Sequence, residues 1–411
     1  MTTVTPSAPC ERHDPSAHHN PSALYKERRM TRAARAVIDL DALRHNLQRA
    51  RTADPAARQF AVIKANGYGH GLVRVAQALT DADGFAVASL DEAITLRDAG
   101  ISQAILLLEG FFRADELPAI RQHRLEVVVH HAAQLDALDA LPIADGESPL
   151  RVWLKVDTGM HRLGFTLDEA PSAWDRLMAC TVVQQPPRLM THLACADDFR
   201  HPATLVQLAR FNALLSTLSE RANSQQIETS IANSAGILGW MGSHGDIDRP
   251  GIMLYGVSPF VGETGDHRRL RPVMTLRSEL IAVKHCRQGD AVGYGGAWLC
   301  PEDMRIGVVA IGYGDGYPRH APAGTPVLVN GVVAPLIGRV SMDMICVDLR
   351  EHGAAKVGDE VVLWGEGLPA ETVAEAASTI AYELFCGVTP RVPRDYVGSL
   401  SETVTETQSG S

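Results

Sequence analysis

A lysine at the end of a short apolar run, followed by closely spaced glycines, is the first residue in this chain whose placement could do chemistry. In Phe-Ala-Val-Ile-Lys-Ala-Asn-Gly-Tyr-Gly-His-Gly (60–71) the apolar residues 60–63 read as a buried strand. Lys64 ends it, and Gly67, Gly69 and Gly71 turn the chain toward a helix near Leu72. An ammonium placed there loses solvation and its pKa falls, which suits Schiff-base formation or proton transfer. A lysine that snorkels to water at a strand end fits the same pattern.

Further groups of this kind recur along the chain. In Trp-Leu-Lys-Val-Asp-Thr-Gly-Met-His-Arg-Leu-Gly-Phe (153–165), Lys155 and Asp157 interrupt an apolar strand, and Arg162 follows a glycine turn from which its planar fork can reach a carboxylate. An ion pair in the wall of a barrel is the structural alternative. Ser-Ile-Ala-Asn-Ser-Ala-Gly (230–236) ends a strand and opens a helix. Ser234 and the first helical amides suit a phosphate there, or Ser234 is a plain helix cap. Gly251, in Asp248-Arg249-Pro250-Gly251-Ile252, lets backbone amides approach an anion. Two Gly-Tyr-Gly turns present Tyr294 and Tyr313, and Gly338-Arg339-Val340-Ser341-Met342-Asp343-Met344 sets an acid between two thioethers.

The elements that must position these residues follow from hydrophobic period. Residues 36–38 read as a strand, with Asp39 or Asp41 capping a helix whose apolar face is Leu40, Leu43, Leu47 and Ala50. Apolar runs at 60–64, 84–88, 104–108, 126–130, 151–156, 189–193 and 228–231 then alternate with helical stretches such as 91–99 and 202–220. In the latter, Leu205, Leu208, Phe211, Leu215 and Leu218 share one side. An eighth run lies at 246–249 or at 252–255. This pattern predicts an α/β chain with a (β/α)8 TIM-type barrel over 30–270. An open doubly wound sheet would be expected to carry a G-x-G-x-x-G turn, whose spacing 67–71 lacks. In a barrel the strand ends bearing Lys64, His130, Lys155, His192, Asn233 and Ser234 converge on one face. Past residue 271 the alternation stops. Extended segments, a hairpin turn at Asn330-Gly331 and one helix at 370–384 predict a mostly β domain over 271–398.

Composition excludes several classes. The 411 residues are 45% hydrophobic and 21% charged, with a net charge of −10, which disfavours nucleic-acid binding. No apolar run approaches a membrane span, and no signal-peptide core is visible. Seven scattered cysteines without a C-x-x-C pair suggest neither a metal site nor a disulfide framework, and suit a reducing cytoplasm. Residues 1–29, polar with His13, His18 and His19, are expected to be disordered, with Met30 a candidate start and a frayed tail at 399–411.

Taken together, the blocks AVIKANGYGHG, LKVDTGMHRLGF, MTHLACADD, ANSAG, DRPGIMLYG, VGYGGAW, IGYGDGYPR and GRVSMDM resemble, in order, the fold-type III alanine racemases, which use pyridoxal 5′-phosphate (PLP). The resemblance implies that Lys64 carries PLP and is one of two catalytic bases. Tyr294, from the partner subunit of a head-to-tail homodimer, is the other. It implies that Tyr68, Ser234 and the backbone of Gly251 and Ile252 hold the phosphate, while His192 and Asn233 line the cofactor. Arg249 faces the pyridine nitrogen. Arg162 and the backbone at Met342 bind the alanine carboxylate, Tyr313 narrows the entrance, Lys155 matches a lysine often carbamylated in the family, and Asp343 orients its neighbours. No metal is implied. Pro390 departs from the pattern, because many relatives carry a tyrosine just before Arg391-Val392-Pro393-Arg394, and Ser341 replaces a cysteine of some relatives. A racemase of serine or of broad range is therefore the alternative. A decarboxylase would be expected to set an acid, not Arg249, at the pyridine nitrogen. A PLP carrier would lack residues 271–398.

Overall fold

The computed structural model describes residues 32–142, 148–222 and 225–398. The expected tails at 1–29 and 399–411, and the candidate start at Met30, lie outside the described residues. The chain enters through β1 (Arg35–Asp39), and the Asp39 carboxylate caps helix Leu40–Ala53 by accepting from the amides of Asp41 and Ala42 at 2.8 and 2.9 Å. That helix buries Leu40, Leu43, Leu47 and Ala50, the face its spacing predicts.

Eight strands then pair in parallel: β2 (Arg58–Val62), β3 (Gly84–Val87), β4 (Ala104–Leu107), β5 (Glu126–Val129), β6 (Val152–Lys155), β7 (Arg188–Met190), β8 (Thr229–Ser230) and β9 (Ile247–Asp248). Their order is β8-β7-β6-β5-β4-β3-β2-β9. The gap between β8 and β9 is bridged by Ser230 Oγ donating to Ile247 O at 2.6 Å and by Arg249 N donating to Ala232 O at 3.1 Å. The sheet is thus a nearly closed (β/α)8 barrel. The eighth strand is the earlier of the two expected runs; 252–255 is a 3-10 turn. Helix Ala203–Arg221 buries Leu208, Phe211, Leu214 and Leu218, while Leu205, expected on that face, is 63% exposed.

The second sheet contains β10 (Met274–Cys286), β13 (Met304–Val309), β14 (Pro326–Val329), β15 (Val332–Ile337), β16 (Ile345–Asp348), β17 (Glu360–Trp364) and β18 (Arg394–Val397). A two-stranded ribbon, β11 (Ala291–Val292) and β12 (Trp298–Leu299), projects between β10 and β13. Asn330 and Gly331, both at positive φ, make the expected two-residue hairpin between β14 and β15. The helix expected at 370–384 is two, Ala370–Ala376 and Ala381–Gly387, broken at Ser378, whose φ is +55°. β1, expected with the barrel, lies in this sheet instead, antiparallel to β10 and parallel to β18. Hydrogen bonding to two strands from the far end of the chain outweighs its sequence position. Among the described residues no helix is long and apolar enough to cross a membrane.

Two polar clusters anchor the barrel away from its C-terminal strand ends. At the first residues of β5 and β7, Arg188 is 3% exposed and donates to Glu126 Oε2 at 2.6 Å, and also bonds Glu228. Trp153 Nε1 donates to the same Glu126 oxygen at 2.8 Å, and the guanidinium lies 4.9 Å over its ring. In the second cluster Gln59 Nε2 donates to Asp248 Oδ2 at 3.4 Å, and Asp54 lies 3.4 Å from His244. Burial, then the charge of Asp54, push Asp248 up to about 7.

Glu126→Ala should leave Arg188 buried with only the part-exposed Glu228, and should destabilise by the lower end of about 3–5 kcal/mol. Denaturant unfolding would measure this, and a loss under about 1 kcal/mol would refute it. For Asp248 the folded value lies above the ordinary 3.8, so the native state binds the proton more tightly than the unfolded chain. Its stabilisation is full below about pH 4 and is lost as pH rises through about 7. Asp248→Asn should flatten the decline of Tm over that window; parallel pH profiles for both proteins would exclude Asp248 as the titrating group.

Candidate active site

Lys64 stands at the head of an unusual backbone segment. After β2 the chain makes a left-handed turn, with φ of +53° at Ala65, +56° at Asn66, +62° at Gly67 and +49° at Tyr68. L-residues in this region each cost roughly 1–2 kcal/mol, so the surroundings must over-determine the turn. The Glu92 carboxylate accepts from the amides of Ala65 at 2.7 Å and Ala88 at 2.9 Å. Asn66 Oδ1 accepts from Leu72 N at 2.9 Å, at the start of helix Leu72–Ala78. The His70 Nδ1 lies 2.8 Å from Tyr68 O. Burial pulls this histidine down to about 4, so it is neutral and Nδ1 is the donor to that carbonyl. The second domain closes the turn from above. Arg394 Nε donates to Gly69 O at 2.6 Å, and Tyr396 Oη donates to His70 O at 3.0 Å. A Cβ at Gly69 would lie 2.1 Å from Phe385 O, so this contact requires glycine.

The turn opens into a cavity of about 1070 Å³ at the C-terminal ends of the barrel strands. The walls are contributed strand by strand. Lys64 and Tyr68 follow β2; Lys155 ends β6 and Arg162 lies in the loop after it; His192 follows β7; Asn233 and Ser234 follow β8; Arg249, Gly251 and Ile252 follow β9. The structure therefore brings together ten of the residues singled out in the sequence. His130, another strand-end residue, does not line the cavity; its Nε2 lies 3.1 Å from Glu109 O.

Local bonds explain how these side chains are presented. Asn233 Oδ1 caps helix Ser234–Gly239 through Gly236 N at 3.0 Å. Ser234 Oγ accepts from Gly251 N at 2.9 Å and Met253 N at 3.3 Å, tying the loop after β9 to the one after β8. The Tyr68 ring stacks on Tyr255 at 4.7 Å between centroids, and burial raises its phenol well above the ordinary value. Asp157 does not pair with Lys155. Its Oδ1 accepts from the amides of Gly159, Met160 and His161 at 2.9, 3.0 and 3.1 Å, folding the loop that presents Arg162.

Lys64, Lys155, Arg162 and Arg249 form a cationic cluster in the cavity, whose lining also includes Glu109, Asp197, Glu263, Glu371 and Glu375. Arg249 donates to Ser230 Oγ, to Thr191 O at 2.7 Å and to Ile231 O at 3.2 Å; among the described residues its Nε has no protein acceptor. Burial lowers it to about 10, so it stays charged at neutral pH. Burial, then Arg249, Arg162 and Lys64, lower Lys155 to about 8. Burial and the same cationic neighbours, with Lys155, hold His192 well below its ordinary value and neutral.

Residues of the second domain divide into two groups. Tyr294, 69% exposed, sits between β11 and β12, and Tyr313 and Met342 are 40% and 52% exposed. Gly314 N donates to Met342 O at 2.8 Å and Tyr313 N to Ser341 O at 3.0 Å, so these loops are joined. Asp343 accepts from Arg391 Nη2 at 2.5 Å. None of these four lines the cavity of their own chain. By contrast Tyr382 and Cys386, on helix Ala381–Gly387, do line it, with Tyr382 5.8 Å from Tyr68 between ring centroids. Sequence reasoning missed both, since a helix so far along the chain carries no local mark of its docking partner. Pro390 does not line the cavity; Tyr382 is the tyrosine this region supplies.

Comparison with known proteins agrees with this arrangement. The family profile described as alanine racemase, N-terminal domain, matches residues 38–259, and that described as alanine racemase, C-terminal domain, matches 273–396. A protein named alanine racemase from Shewanella loihica is 52% identical over 358 residues, covering 87% of this chain and 97% of its own. One of the same name from Coxiella burnetii is 50% identical over 364 residues, with the same coverage. The solved structure of a biosynthetic alanine racemase from Pseudomonas aeruginosa superposes with a TM-score of 0.85 at 46% identity, over 89% of this chain and 100% of that one. With both halves matched in order and about half of the aligned positions identical, this chain belongs to the alanine racemase family.

Proposed function

We propose that this protein interconverts L- and D-alanine with PLP, in a homodimer whose active sites each draw on both subunits. The observation that carries the reading is the cationic cluster around Lys64 in the cavity, with a buried arginine, a second lysine lowered to about 8 and a neutral histidine beside it. This donor set fits PLP. Gly251 leaves room beside the Tyr68 hydroxyl, which lies 3.0 Å from where a Cβ would stand, so a phosphate has a hydroxyl and backbone amides within reach. Lys64 would hold the aldehyde carbon, Tyr68, Ser234, Gly251 and Ile252 the phosphate, and Arg249 the pyridine nitrogen, with His192 and Asn233 beside the ring. PLP supplies an electron sink that acidifies the Cα–H bond of an attached amino acid.

The protein's own residues then set the outcome. Arg249 keeps its proton, so it donates a hydrogen bond without protonating the pyridine nitrogen. This weakens the sink and limits side reactions that need a longer-lived carbanion. Arg162 and the partner subunit's Met342 backbone bind the substrate carboxylate, and Tyr313 narrows the entrance. Lys64 Nζ and the partner subunit's Tyr294 Oη take and return the proton on opposite faces of Cα. The cations Arg249 and Arg162 would stabilise the negative charge that develops on Tyr294 as it takes part in proton transfer. Lys155, lowered to about 8, has a free amine fraction able to add carbon dioxide. The resulting carbamate would exchange a cation for an anion and steady Arg162, with Asp343 supporting the neighbouring loop. The six described cysteines are free thiols, which supports a reducing cytoplasm. Pro390 lies outside the cavity and Tyr382 lines it, which removes the reason Pro390 gave for a wider substrate range.

Purified enzyme should absorb near roughly 420 nm and racemise L-alanine much faster than L-serine; Lys64→Ala should lose both properties. Comparable rates would favour the broad racemase, and absence of the band would end the PLP reading. Lys64→Ala and Tyr294→Phe should each lower kcat by roughly 10²-fold or more. Co-expressed, they should recover about a quarter of wild-type activity, since half the dimers are mixed and each mixed dimer has one intact site. No recovery would place both bases in one subunit.

A further inference from the structure

Three cysteines that the proposed mechanism does not use converge beneath the ribbon carrying Tyr294. Cys286 is the last residue of β10, Cys300 follows β12, and Cys346 lies in β16. They pack in one small apolar cluster with Val292, Met304, Ile306 and Ile337, separate from the main core. Cys300 is 2% exposed, while Cys286 and Cys346 are part-buried. Cys300 is a core member of this cluster, and Cys286 and Cys346 pack against it. Backbone bonds already hold the neck of this loop in register, from Gly289 N to Cys300 O at 2.8 Å and from Cys300 N to Asp290 O at 2.9 Å. Tyr294 lies in the segment between the two cysteines. Among the described residues no histidine, cysteine or carboxylate cluster could hold a metal ion, so thiol chemistry is what this cluster offers.

We propose that Cys286 and Cys300 are a peroxide-sensitive thiol pair whose disulfide ties together the two legs of the Tyr294 ribbon and slows turnover. The oxidant is a hydroperoxide, and the step balances. The Cys286 sulfur attacks the peroxide, an S–O bond forms, the O–O bond breaks and one oxygen leaves as water. Cys300 sulfur then attacks the Cys286 sulfenic acid; the S–S bond forms, the S–O bond breaks, and the departing hydroxide takes the Cys300 proton as a second water. Cys286 reacts first because it is the more accessible of the two. Burial holds the Cys300 thiol up, so it stays protonated until the sulfenic acid forms beside it. Both thiols are free and a disulfide needs its sulfurs at about 2.05 Å, so forming it draws the legs together. A base displaced on the scale of an ångström loses rate steeply. The effect on turnover rests on the reading of Tyr294 above; formation of the disulfide does not.

The test treats reduced holoenzyme with hydrogen peroxide and maps peptides without reduction. A Cys286–Cys300 linked peptide is expected, with kcat for alanine down by roughly tenfold to a hundredfold, cofactor absorbance retained, and recovery with dithiothreitol. Cys300→Ala, or Cys286→Ser if the first misfolds, should keep its activity under peroxide, and Cys346→Ala should respond as wild type. A link to Cys346, separate sulfinic acids, or no linked peptide would overturn the assignment, and a link that leaves kcat unchanged would overturn its regulatory role. If Tyr294→Phe proved fully active, the catalytic reading would fail while the linked peptide would still be found.

Discussion

The rest of the site depends on a left-handed turn that could not stand alone. Ala65, Asn66 and Tyr68 occupy backbone space that L-residues avoid, and the turn they form aims Lys64 into the cavity and lays Tyr68 against Tyr255. What makes the conformation tolerable is a set of bonds that a regular helix would not need. They come from Glu92 on the neighbouring βα unit, from Asn66 itself and from the carbonyl contacts of His70. Arg394 and Tyr396 complete the set from the far end of the chain. Strain beside Lys64 is thus offset by contacts spread over both domains. The placement of β1 between β10 and β18 follows the same logic, because it bolts the strand bearing Arg394 and Tyr396 to the segment that leads into the barrel.

Electrostatics sort the barrel into two ends. At the N-terminal strand ends, cations and carboxylates alternate, and Arg188 has both Glu126 and Glu228. At the C-terminal ends, Lys64, Lys155, Arg162 and Arg249 share one cavity, and burial, then the repulsion among these cations, lowers Lys155 and His192. An arrangement that costs stability at one end, beside one that is locally neutralised at the other, is what a site built for an anionic ligand requires. Arg249 illustrates the compromise. Three of its bonds go to Ser230, Thr191 and Ile231, which fix its plane and offset part of its desolvation, and its Nε is left for something else.

Much of this was legible in the sequence because strand ends and periodicity are local signals. Lys64, Lys155, His192 and Asn233 each follow an apolar run, and runs repeated at barrel spacing place such residues on one face. What could not be read depends on contacts between distant segments. β1 looks like any short strand until β10 and β18 flank it. Leu205 matches a helical stripe, yet Leu214 takes its place because the stripe's exact azimuth depends on which neighbours the helix meets. Tyr382 and Cys386 belong to a helix that reads as ordinary, and only docking against the Lys64 turn brings them to the cavity. Asp157 looked like a partner for Lys155, but three backbone amides compete for its carboxylate and win.

Tyr294 is 69% exposed on its own chain, so water screens its phenol from the surrounding charges. Tyr313 and Met342 present the same surface, and the loops bearing them are cross-bonded into one rigid rim. Lys64, meanwhile, faces a cavity far larger than its own side chains fill. In the proposed homodimer two incomplete surfaces, a cavity holding Lys64 and its neighbouring cations and a rim carrying Tyr294, would complete each other. Water expelled at that junction would strengthen the attraction between Arg249 or Arg162 and negative charge on Tyr294. Neither domain alone could supply that effect, which would give a shared site a physical reason beyond bringing residues into reach.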